Sequence, residues 1–353
     1  MKPKTLISLA LSGRLSLVLS LTRLAVPVYR ACFVSAAISR GLLVMLSKGA
    51  LPFDRLAGEL SPEPFTRDGL LAWLQFGVRL GELRLGPEGY SLRGRLSKQL
   101  AHPDNDSAAA LLQELVELHH KFIVEAPERL RRGRKFSLAD QNGELTARSS
   151  RILEPFVEEA IDNVVPRSGP FRVLEVGCGS GIYIRYAAKR NRDLTAVGLE
   201  LQPAVAEFAR KKLGDWNLAD RITVETIDVR ERTPDAAFDL VTLHNNIYYF
   251  PVESRLRVLE HLRGFLKPNG CLLLTTGCRG GSLSIEFLNL WAAMTEGCGP
   301  LPVPSEMVEQ LKAAGFRLVK AKNLIPGAPT IASLRGRGHR SEQPGRPVAG
   351  PNP

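Results

Sequence analysis

Cysteine is scarce in this chain and never paired at short range: Cys32, Cys178, Cys271, Cys278 and Cys298 are spread over 353 positions. That is too sparse for a disulfide framework. With no C-x-x-C pair, neither a structural zinc site nor another metal centre is expected. No run of about 18 apolar residues is free of charge, which excludes a polytopic membrane protein. Acidic residues are missing from positions 1–48, which hold seven Lys and Arg. Residues 337–353 carry a further net +2, so of the total net charge of +11 only +2 is left for residues 49–336. The body is nearly neutral and lacks the basic footprint of a nucleic-acid binder, so no nucleic-acid partner is expected.

What is there fits a globular protein of two domains: 44% hydrophobic and 24% charged residues can fill a core. Residues 1–29 read as a basic leading helix, with Ser8, Ser12, Ser16 and Ser20 along one face and leucines around the rest. Such a helix packs on a partner subunit, makes peripheral contact with a membrane surface, or serves as an N-terminal targeting segment; otherwise the expected location is cytoplasmic. Residues 30–150 read as three helices (FVSAAISRGLLVML, LPFDRLAGEL, RDGLLAWLQFGVRLG), a hairpin of LRL and YSL around GPEG, and a helix over 107–126. That is a winged-helix outline. Residues 337–353 are rich in Pro and Gly and hold too little apolar surface to order themselves.

From residue 171 the period changes. FRVLEV is a continuous apolar run ending next to an acid, as in a buried parallel strand. It enters Gly177-Cys178-Gly179-Ser180-Gly181, where missing side chains let a ligand approach the backbone, and IYIRYAAKR continues as a helix. LTAVGLE then makes a second strand ending at Glu200, 19 residues after Gly181, where a carboxylate can accept from both ribose hydroxyls. A dinucleotide fingerprint wants G-x-G-x-x-G and a helix end holding a pyrophosphate. Here the spacing is G-x-G-x-G, and Glu175 beside it repels a pyrophosphate and welcomes a cation.

The pattern E-x-G-x-G-x-G followed by a strand-end acid resembles the class I S-adenosylmethionine-dependent methyltransferases. RITVETIDV, FDLVTLHNN, RVLEHLRGFLKPNGCLLLTT and a last pair of strands in AGFRLVKAKNLIPGAPTIASLRG follow in that family's order. The resemblance implies an α/β fold over residues 151–336: a Rossmann-like seven-stranded sheet, mostly parallel with an antiparallel last strand, preceded by a mainly α winged-helix-like domain. It implies S-adenosylmethionine as cofactor, with Glu175 near the methionine amino group and Gly177, Cys178, Gly179 and Gly181 beneath it. Glu200 and Leu201 would meet the ribose, Asp228 and Val229 the adenine, and His244 and Asn245 the end of the fourth strand. Cys178 itself reads as a turn filler.

A winged-helix domain before such a domain resembles the small-molecule O-methyltransferases, which act on phenols and related metabolites. This implies a homodimer, with a small-molecule acceptor and an interface through Phe33, Leu42, Leu43, Leu71, Trp73 and Leu74. Plant-type members carry a catalytic His in a His-Asp-Trp segment; aligning Phe250 on that Trp puts Tyr248 where the His would be. His244 and Tyr248 are therefore the catalytic candidates. The 28-residue insert from Gly277 to Pro304 carries Leu283, Phe287, Leu290, Trp291 and Met294 at helical spacing. Tyr248, Tyr249, Phe287 and Trp291 are the candidate acceptor wall. A second function class is a winged-helix regulator with a ligand-sensing methylase fold, contacting DNA phosphates through Arg67, Arg79, Arg84, Arg93 and Arg95.

Overall fold

A computed structural model describes residues 11–325 and 328–337; the expectations for residues 1–10 and 338–353 lie outside them. Contacts divide the chain into two units. The first takes the described residues up to Glu125 together with Gln141–Ile152; the second takes Ala126–Asp140 and everything described from Leu153 onward. The reading of 30–150 and 151–336 as separate domains therefore shifts. The leading helix joins the first unit, and Ala126–Asp140 joins the second.

In the first unit, α1 (Arg14–Ser39) runs unbroken through Pro27, so the expected boundary at 29/30 falls inside a helix. The helix read over 33–46 is interrupted instead at Gly41, whose φ of 73° starts the separate α2 (Leu42–Ser47). Helices α3 (Phe53–Leu60) and α4 (Arg67–Arg79) follow, then the expected hairpin, β1 (Leu83–Gly86) against β2 (Gly89–Leu92). Phe33, Leu42, Leu43, Leu56, Leu74 and Tyr90 form this unit's own core. That corrects the expected interface: Phe33, Leu42, Leu43 and Leu74 are spent inside the unit. Much exposed apolar surface lies on α1, where Leu17, Leu21, Leu24 and Val28 are among the exposed side chains; Phe65, Ile123 and Val124 are exposed elsewhere in the unit.

After α5 (Arg95–Leu100), the helix read over 107–126 is longer and irregular. It consists of α6 (Asp106–Glu114), a π turn at Leu115–His119, and α7 (His120–Arg131). Helix α8 (Gly143–Ser150) is pinned to α6 by polar contacts: Ser149 and Thr146 donate to the Glu114 carboxylate, and Arg148 pairs with Asp106.

The second unit begins, apart from Ala126–Asp140, near α9 (Glu154–Asp162). It is built on β3 (Phe171–Val176), β4 (Leu194–Glu200), β5 (Ile222–Thr226), β6 (Phe238–His244), β7 (Leu266–Gly277), β8 (Arg317–Ile325) and β9 (Ala328–Arg337). Sheet order is β5-β4-β3-β6-β7-β9-β8. The strands from β3 to β7 are parallel, and β9 lies antiparallel between β7 and β8. This is the expected sheet, extended by one residue to Arg337. Its parallel strands are buried on both faces, which is why they read as near-continuous apolar runs. Leu174, Val176, Val241, Leu243, Leu272 and Leu274 make the core, covered by α10 (Ile182–Arg190), α11 (Pro203–Asp215), α12 (Val252–Gly264) and α14 (Pro304–Ala313). The insert forms α13 (Leu283–Met294). Ala126–Asp140 belongs here because Phe136 bridges to its end: Phe136 N–H donates to Met294 O at 2.8 Å and Glu296 N–H to Phe136 O at 2.8 Å.

Candidate functional site

Strand β3 has β4 on one side and β6 on the other. The carboxyl ends of these three strands thus frame the crevice in which open α/β sheets bind ligands. The glycine turn sits at its floor. Gly177, Gly179 and Gly181 have φ of 65°, 53° and 74°, a left-handed backbone that costs other residues about 1–2 kcal/mol. Gly177 has a second constraint: the Asn246 carboxamide occupies the place of its missing Cβ and donates to Val176 O at 2.8 Å. Cys178 N–H donates to Leu199 O at 2.9 Å and ties the turn to β4. The Cys178 side chain is buried, and burial pushes its thiol well above the usual range, so only its backbone can serve a ligand.

Two carboxyls flank the turn. Glu175 is 2% exposed, and burial pushes it up to about 8, against the opposing pull of the Ile184 N–H. Among the described residues no cation enters the balance. Glu200, at the end of β4, accepts from Gly179 N–H at 3.1 Å and from Gln202 N–H at 3.0 Å. Leu201 beside it is exposed. Asp228 follows β5 and is held by Arg230, whose guanidinium lies 2.9–3.0 Å from its oxygens through Nε and lowers its carboxyl. Val229 is buried, and its carbonyl accepts from His261 Nε2 at 2.8 Å.

At the end of β6, His244 packs its ring on Tyr183 at 4.9 Å and places Nδ1 2.9 Å from Thr275 Oγ1. Its Nε2 is buried without a partner among the described residues, and burial pushes the imidazole down to about 3, so the ring is neutral at pH 7. Asn245, at φ 51°, donates its N–H to Thr275 O at 2.7 Å. The chain then makes a 3-10 turn, Ile247–Tyr249. Tyr248 and Tyr249 stack at 5.1 Å, and both meet Trp291 of α13 at 6.1 and 5.6 Å. Trp291 is 2% exposed, with its indole N–H unpartnered among the described residues; Phe287 is half-buried on the same helix.

The structure thus gathers Glu175, the three glycines, Glu200, His244 and Asn245 around adjoining strand ends, and Tyr248, Tyr249 and Trp291 into one aromatic cluster. Asp228 stands after β5 as an ion-paired side chain. Sequence reasoning missed Asn246, Tyr183 and Thr275, whose contacts reach residues distant in the chain. Among the described residues no group of three His, Cys, Asp or Glu is placed to hold a metal ion.

A parallel sheet closed by an antiparallel strand between β7 and β8, with an acidic glycine turn after β3, is the class I methyltransferase fold. Comparisons agree. Residues 174–272 match the methyltransferase domain family. A malonyl-[acyl-carrier protein] O-methyltransferase of Ilyobacter polytropus is 29% identical over 30% of this chain. A trans-aconitate 2-methyltransferase of Methylobacterium radiotolerans is 32% identical over 31% of it. The matched stretch spans 38% of the length of each of these curated relatives. Among solved structures, mitomycin 7-O-methyltransferase is similar over 93% of this chain and 99% of its own, with a TM-score of 0.74 at 20% identity. Human N-acetylserotonin methyltransferase is similar over 90% of this chain and 96% of its own, with a TM-score of 0.70 at 17% identity.

Proposed function

We propose that this chain transfers a methyl group from S-adenosylmethionine to an oxygen of a small apolar or aromatic acceptor, leaving S-adenosylhomocysteine. The observation that carries this reading is Glu175: a buried carboxyl with no cation, set against a turn that has no side chains to obstruct a ligand. That donor set fits the cofactor. Glu175 would hold the methionine ammonium, and the Gly177–Gly181 turn would pass beneath it. Glu200 would release its backbone donors to take the ribose hydroxyls, and Asp228 with Val229 would border the adenine. The bound cofactor supplies an electrophilic methyl on a sulfonium.

The chain's own contribution is mainly to position acceptor oxygen and methyl in line, which accounts for much of the rate in displacements of this kind. His244 is a poor proton acceptor when burial holds its ring at about 3. We assign it to orienting Tyr183 and Thr275, and assign Tyr248, Tyr249, Phe287 and Trp291 to the acceptor wall. We further infer a homodimer. Leu17, Leu21, Leu24 and Val28 recur at spacings of four, three and four along one exposed stripe of α1, the pattern of a helix seam. A membrane is the second reading, because α1 is long and apolar enough to cross one. A cytoplasmic location is consistent with the dimer.

The test is calorimetry with S-adenosylmethionine, followed by radiolabelled methyl transfer to a panel of phenols and carboxylic acids. Binding should be lost in Gly179→Arg and weakened at least about tenfold in Glu200→Ala, the loss of two hydrogen bonds to a charged group. Unchanged binding in both variants would remove the site assignment.

A further inference from the structure

Arg255, near the start of α12, is 2% exposed, and among the described residues its guanidinium has no carboxylate within ion-pair distance, Glu253 and Glu306 acting on it only from farther away. A buried cation without a counter-ion is expensive unless its donors are used. Here they are spent on two carbonyls from two different segments. Nε donates to Phe250 O at 3.1 Å, at the end of the Tyr248–Tyr249 turn. Nη2 donates to Pro300 O at 2.7 Å, at the far end of the insert. A third hydrogen bond joins the same two segments directly, from Gly299 N–H to Tyr248 O at 2.9 Å. Neither segment belongs to a strand, so their carbonyls have no ladder to satisfy them.

We propose that Arg255 is a positioning residue for methyl transfer: it latches the turn bearing Tyr248 and Tyr249 onto Gly299–Pro300, so that the aromatic wall is held in one geometry. The proposal rests on reading that wall as the acceptor site. A forked guanidinium can serve two carbonyls at once; a lysine ammonium is a single point on a flexible stem and holds one poorly. Burial, together with nearby Arg279, pushes Arg255 down to about 10, which still leaves it charged at pH 7. The latch also explains why residue 299 is glycine. A Cβ there would lie 3.0 Å from Arg255 Nη2, 3.1 Å from Val252 N and 3.2 Å from Phe250 O, contacts tight enough that the latch would have to give by a few tenths of an ångström.

The experiment uses full-length protein saturated with S-adenosylhomocysteine and three variants: Arg255→Met, Arg255→Lys and Gly299→Ala. Gly299→Ala disturbs the latch without removing the buried charge and covers the case in which Arg255→Met does not fold. Hydrogen exchange should rise about tenfold or more in residues 246–251 and 297–301 in Arg255→Met and Gly299→Ala, and less in Arg255→Lys, with residues 171–200 unchanged. The Kd for S-adenosylhomocysteine should stay within about twofold of the parent, while kcat/KM for the best acceptor of the panel falls about tenfold or more. Unchanged exchange in both segments overturns the latch. So does a uniform rise across the sheet unit with loss of S-adenosylhomocysteine binding, which makes Arg255 an ordinary core residue. A panel that yields no methylated product defeats the functional reading alone, because the exchange result still decides the latch.

Discussion

Glu175 concentrates the site's electrostatics in one carboxyl. Its folded value, pushed up to about 8 by burial, stands above the ordinary 4.5 of an unfolded chain. A carboxyl raised in this way contributes stability that is fully present below the unfolded value and lost as pH rises through the folded one. An arriving ammonium reverses the balance, because a nearby cation favours the ionised form. Binding of S-adenosylmethionine at pH 6 should therefore release about one proton, read by calorimetry in buffers of different ionisation enthalpy. No release would mean that Glu175 is already ionised in the free protein. In the absence of cofactor, Glu175→Gln should melt higher than the parent at pH 9, where the parent carries a buried charge. His244 works in the opposite sense: its folded value of about 3 lies below the ordinary 6.5, so its contribution is present above that and fades as pH falls.

At the scale of elements, the glycine turn is constrained most at Gly177. Gly177→Ala meets both a left-handed backbone and the Asn246 carboxamide. It should cost about 1–3 kcal/mol in urea unfolding. Adding Asn246→Ala, which clears the space, should recover part of that loss, so the double variant is less damaged than the sum of the singles. Strictly additive losses would show that Asn246 does not fill the turn. The acid, the glycines and Glu200 were legible in the sequence because their chemistry is local: strand, turn, helix and the next strand end lie within 30 residues. Asn246 was not, since its bond to Val176 spans 70 positions. Arg255 was invisible for the same reason, with Pro300 lying 45 residues away. Apolar spacing also misled where it had two possible partners. It marked Phe33, Leu42, Leu43 and Leu74 as buried but could not say against what, and the unit's own core claims them. Nor could it foresee that Phe136 would tie Ala126–Asp140 to the end of α13.

The whole molecule divides its charge as unevenly as its surface, with seven of its Lys and Arg in the first 48 residues beside the most exposed apolar helix. Replacing Leu17, Leu21, Leu24 and Val28 together by Gln should turn a dimer into a soluble monomer in light scattering behind size exclusion, since the stripe is the one thing removed. A parent that is monomeric, and that floats with anionic lipid vesicles, would assign α1 to a membrane instead. The sheet carries a consequence in time. Its last strand in the chain is not its outermost: β9 slides between β7 and β8. Until residues 328–337 have left the ribosome, β7 and β8 each present an open edge, and neither can pair with the other without displacing the strand still to come. Birth of this protein therefore passes through an interval in which two sticky borders face solvent, and its exposure to aggregation is set by how quickly the final ten residues of the sheet arrive.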